Sequence, residues 1–101
     1  MATDLNIAVF HAARQTTLGD MLSSELVNIT ASSVASASLG PNEVIPLTAR
    51  LQPDTACWVA WGTDPTAVNA GSLGSSMRMN AGSTEYIGIQ PGDKIAVIAL
   101  A

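Results

Sequence analysis

At 101 residues, with 48% hydrophobic residues, 12% charged residues and a formal net charge of −4, the chain has the size of one domain and about half the charge usual in soluble domains. Its four basic residues, Arg14, Arg50, Arg78 and Lys94, are scattered singly, which disfavours nucleic acid because no stripe forms to neutralise phosphates. The one cysteine, Cys57, excludes an internal disulfide and a Cys-based metal cluster, and suits folding in a reducing cytoplasm.

Leu5, Ile7 and Val9 alternate with Asn6, Ala8 and Phe10, which predicts a first strand with one apolar face. Residues 12–25 could hold a short helical turn, although Gly19-Asp20 inside it signals a turn. From Leu26 to Leu39 the small, β-branched composition predicts one or two weakly specified strands, with Val27 and Ile29 on one face. Ser and Ala give such a strand little to fix its register, so a neighbour must hold it; low-complexity disorder is the alternative.

Gly40-Pro-Asn-Glu reads as a turn. Ile45, Leu47, Ala49 and Leu51 then alternate with Pro46, Thr48 and Arg50 as a half-buried strand, and Pro46, which cannot donate to a ladder, argues for an edge or a bulge. Ala56-Cys-Trp-Val-Ala-Trp is apolar on both faces, with Cys57, Val59 and Trp61 opposite Ala56, Trp58 and Ala60, so this strand is expected to be covered on both sides.

Gly62-Thr-Asp-Pro is the turn that follows, and Val68 to Ser76 reads as a flexible loop. Met77-Arg-Met forms a short strand, and Ile87 and Ile89 face opposite to Tyr86 and Gly88 in the next. Pro91-Gly92 predicts a type II turn, proline presetting its first corner and glycine tolerating positive φ at its second. A last two-sided apolar strand runs from Ile95 to Leu100, in kind with that at Cys57.

Turn signals every 8 to 12 residues or so across the last 60 positions, with no long helix, predict an all-β fold. The expectation is a single antiparallel β-sandwich or jelly-roll-like barrel of about six to eight short strands. Residues 44–101 form its core, and residues 1–43 are an N-terminal arm or added strands packed on it.

The chemistry-bearing residues are sparse. One histidine and one cysteine cannot supply a four-ligand structural zinc site, and His11 reads as a strand-end residue. Cys57 lies in the most apolar stretch, where a thiol is inert packing rather than a nucleophile. No Gly-x-Ser-x-Gly elbow accompanies the serines, and the carboxylates stand mostly beside turns. Gly71-Ser-Leu-Gly-Ser-Ser lacks the lysine of a nucleotide-binding loop. The expectation is therefore no catalytic residue, no cofactor, no metal and no enzyme. Trp58 and Trp61 are the candidates for stacking on a ligand such as a sugar, or they are core.

No charged n-region followed by an apolar h-region opens the chain, and no run approaches the roughly 20 apolar residues of a membrane span, so a soluble, non-membrane protein is expected. So few charges suggest a surface covered by copies of the chain or by another protein, although abundant Ser, Thr and Asn could keep it soluble instead.

Ala56-Cys-Trp-Val-Ala-Trp-Gly-Thr-Asp-Pro-Thr-Ala, followed by Met77-Arg-Met-Asn-Ala-Gly, Glu85-Tyr-Ile and Pro91-Gly-Asp-Lys-Ile-Ala-Val-Ile, resembles a pattern in small virion proteins of tailed bacteriophages. The resemblance covers about residues 44–100. It implies a β-sandwich that coats or braces a phage head as a decoration, cement or minor capsid component, with no catalytic residues to carry over.

The function this suggests is structural: binding the major capsid protein or other virion proteins and stabilising the head. The protein would be made in the host cytoplasm, reside on the capsid surface and act as a homo-oligomer such as a trimer. Candidate partner-binding residues are Phe10, Arg14, Leu18, Met21, Leu22, Val68 and Leu73. The alternative is a carbohydrate-binding or host-adhesion module using Trp58 or Trp61.

Overall fold

The computed structural model describes residues 3–11, 21–68 and 76–100. Arg14, Leu18 and Leu73 lie outside them, as do most of the 12–25 segment and of the 68–76 loop. Eight strands run in chain order: β1 (Asp4–His11), β2 (Met21–Asn28), β3 (Val34–Ala35), β4 (Leu47–Pro53), β5 (Cys57–Gly62), β6 (Met77–Met79), β7 (Glu85–Ile89) and β8 (Lys94–Ala99). They form two antiparallel four-stranded sheets, ordered β2-β1-β4-β7 and β3-β8-β5-β6. The chain is thus all-β and sandwich-like, and its sheets stay open rather than closing into a barrel.

Alternation builds the core. Leu5, Ile7 and Val9 of β1 stand opposite Pro53, Leu51 and Ala49 of β4, and Leu47 and Ala49 stand opposite Ile89 and Ile87 of β7. From the other sheet Cys57, Val59, Met79, Ile95 and Val97 join these residues in one buried cluster. β5 and β8 pair in the middle of their sheet, with Val59 opposite Val97. Their outward face is covered too: Ala60 and Ala96 pack with Ala67, whose N–H donates to Ser33 Oγ at 3.0 Å. This explains why both strands are apolar on two sides.

Three local expectations are corrected. Residues 21–25 belong to β2, not to a helical turn. β4 is no edge strand, for β1 and β7 flank it. Pro46 stands one residue before Leu47, where no ladder N–H is needed, and Ile45 is outside the strand and exposed.

The Ser-rich segment is held by a side chain. After the two-residue β3, the Ser36 N–H donates to the Ile95 carbonyl at 2.8 Å, the Ile95 N–H donates to Ser36 Oγ at 3.0 Å, and that hydroxyl donates to the Ala37 carbonyl. Among the described residues Ser36 is the buried polar residue of the interior. The turns follow the glycines, with Gly40 at φ 52° and Gly92 at φ 88° as the Pro-Gly turn requires.

Candidate functional site

Outward-facing residues of the first sheet come from all four of its strands. Phe10 and Met21 stand opposite each other across β1 and β2, and Arg50 stands opposite Ala8 on one side and Tyr86 on the other. Phe10 is buried because the Arg50 guanidinium lies over it, Cζ 5.7 Å from the ring centroid. Met21, Leu26 and Tyr86 remain 59%, 63% and 54% exposed. Val44 and Ile45, before β4, add two more exposed apolar side chains.

A bulge between Val9 and Phe10 explains how Met21 and Leu26, five positions apart, share this face. Leu22 turns the other way, packs half-buried against the core and lines a shallow depression of about 320 Å³. The opposite wall is Ser38 and the Gly40–Glu43 turn. At that turn Glu43 Oε1 lies 2.8 Å from His11 Nε2, tying the end of β1 to the approach of β4.

The two tryptophans meet different surroundings. Trp58 is half-buried on the outer face between Arg78 and Ile98, and its indole N–H is buried with no acceptor among the described residues. Trp61, opposite Ile95 at the end of β5, is 38% exposed. Val68 is half-buried and donates its N–H to Ser76 Oγ at 3.0 Å.

The chemistry available is slight. Burial raises the Cys57 thiol from 9.0 to about 11, so at neutral pH it is protonated and enclosed. Among the described residues no three or more His, Cys, Asp or Glu side chains come together as a metal site. No helix there is long and apolar enough to cross a membrane, a statement that leaves β-barrels aside.

The structure therefore brings Phe10, Met21 and Arg50 onto one face, leaves Leu22 on the inner side, and separates from them both tryptophans, on β5 of the second sheet, and Val68, in the segment after β5. Leu26, Tyr86, Val44 and Ile45 are surface residues that the sequence reading did not single out. Strand order decides the exposure of Leu26 and Tyr86, while Val44 and Ile45 are exposed because they lie before β4, outside any strand. Compared with known proteins, the chain matches no family model, no curated protein and no solved structure.

Proposed function

We propose that the protein is a structural component of a bacteriophage particle, a decoration or cement protein that binds the major capsid protein through surface contact. The observation that carries this reading is the exposure of Met21, Leu26 and Tyr86 on the outer face of the first sheet, along its two edge strands, in a chain with only 12% charged residues. Apolar side chains left exposed on a face rimmed by polar residues are a feature that interaction sites use. The resemblance of residues 44–100 to phage virion proteins supplies the kind of partner.

In this reading the protein is a homo-oligomer on the outside of the head, made in the host cytoplasm, and it performs no chemistry. Mass spectrometry of gradient-purified particles from the virus that encodes it tests the assignment. The protein is expected in fixed ratio to the major capsid protein; its absence from particles would reject the reading.

Trp61, one-third exposed at the end of β5, favours one second reading, a sugar-binding module. A titration of tryptophan fluorescence against a glycan panel decides it. A saturable change lost in Trp61→Ala would support that reading, and a flat response would remove it.

A further inference from the structure

β2 is the longest edge strand of the two sheets, eight residues against five in β7, three in β6 and two in β3. The Ile29 N–H donates to the Thr3 carbonyl at 2.8 Å, which fixes the alternation. Ser23, Glu25, Val27 and Ile29 direct their main-chain groups at β1. Ser24, Leu26 and Asn28 direct theirs outward. Among the described residues nothing pairs with that outward row. Leu26, in its middle, is 63% exposed.

Natural edges are protected by short length, proline, lysine, bulges or inward charge. β2 has no proline and no lysine. Its bulge lies at the start, beside Leu22, and leaves the run from Ser23 to Ile29 regular. Its one charge, Glu25, is an inward charge of the protective kind, with Oε2 accepting from the Ala37 N–H at 3.4 Å, and it leaves the outward main-chain groups of Ser24, Leu26 and Asn28 open. The regular run is centred on Leu26.

We infer that β2 is the contact between two copies of this chain, paired antiparallel about a twofold axis at Leu26, so that the two first sheets join into one. Leu26 then stands opposite Leu26 of the other copy and the exposed pair covers itself. Ser24 stands opposite Asn28, and Glu25 opposite Val27. Three pairs exchange main-chain bonds, about six in all.

The occupant is a second copy because the strand is complementary to itself in this register. Centring on Glu25 instead would set two carboxylates opposite each other, which is destabilising. The chain's net charge of −4 makes that separation of like charge more important. The contact deepens the oligomeric part of the proposed function and rests on it only there; it calls for a twofold unit rather than a trimer built through this edge.

Sedimentation velocity of the purified full chain over a wide concentration range, without particles, tests the contact together with two variants. The wild type should sediment at twice the chain mass. Leu26→Arg should sediment as a monomer with unchanged far-UV circular dichroism. Leu26→Cys should become a covalent dimer under mild oxidation, while Tyr86→Cys on the other edge should not; the native Cys57 is buried and does not compete.

A wild type that is monomeric at every concentration, a dimer that Leu26→Arg leaves intact, or a Leu26→Cys variant that fails to link would overturn the contact. Particle binding is scored separately. A monomer that binds particles rejects this contact alone, and a dimer absent from particles rejects the virion role alone.

Discussion

Arg50 of β4 lies over the ring of Phe10 in β1, and this one side chain covers the middle of the outer face of the first sheet. It also stands opposite Ala8, which is fully buried although it points away from the core. The guanidinium has no carboxylate partner among the described residues, and its Nε is buried without an acceptor. Stacking and the aliphatic stem, not an ion pair, hold it there. Arg50→Ala should cost about 1 kcal/mol in denaturant unfolding, with Arg50→Lys between the two, because lysine retains the charge but not the planar group. Equal stability of all three would show that the stack contributes nothing.

Ser36 completes the edge of the second sheet. Replacing it with alanine leaves the Ile95 N–H without its acceptor in a buried setting, which should cost about 1–3 kcal/mol. Amide hydrogen exchange locates the effect: the Ile95 amide should lose protection first, while those of β1 keep theirs. Uniform loss across both sheets would contradict this local role.

Gly40 is required for two reasons. Its φ of 52° disfavours any side chain, and a Cβ there would come 2.5 Å from Leu47 Cδ1. Gly40→Ala should therefore lower stability by at least about 1 kcal/mol. Gly92→Ala, at φ 88° but with open space around it, should bear only the backbone part. Thermal unfolding of the pair gives the order; a milder effect at Gly40 would contradict it.

Cys57 sets an alkaline limit. Its thiol loses a proton near 9.0 when the chain is unfolded and near 11 when folded. Between these values the unfolded state binds fewer protons, so stability falls as pH rises through that window and is unaffected by this group below it. Melting temperatures of wild type and Cys57→Ala, each referred to its own value at pH 7, should diverge between pH 9 and 11, with the wild type falling faster. Iodoacetamide should label Cys57 only as fast as the protein unfolds, and rapid labelling of the native state would show that the thiol is open.

The two-sided strands β5 and β8 were legible in the sequence, because full burial leaves a continuous apolar run between turn residues such as Gly62 and Pro91-Gly92. β1 was legible through Leu5, Ile7 and Val9. β2 was legible only at its end, where Val27 pointed to a strand; its first residues were not, since only Val27 in the strand is buried and an edge strand carries no clear period. Pro46 misdirected the reading of β4, because a proline one residue outside a strand looks the same in sequence as one inside it.

The outer face was legible only in part. Phe10 and Met21 could be singled out as apolar residues near a polar loop, but the opposition of Arg50 to both Ala8 and Tyr86 depends on β4 lying between β1 and β7. Strand order is a property of long-range pairing, with partners more than 30 positions apart. Leu26 looks like any strand leucine until β2 is known to be an edge.

Particles assembled without this protein, to which purified protein is then added, test the central claim most directly. Binding should saturate at a fixed ratio to the major capsid protein, and the loaded particles should withstand heating to a higher temperature before releasing their contents. Failure to bind, or saturable binding that leaves the disruption temperature unchanged, would contradict a role in stabilising the head.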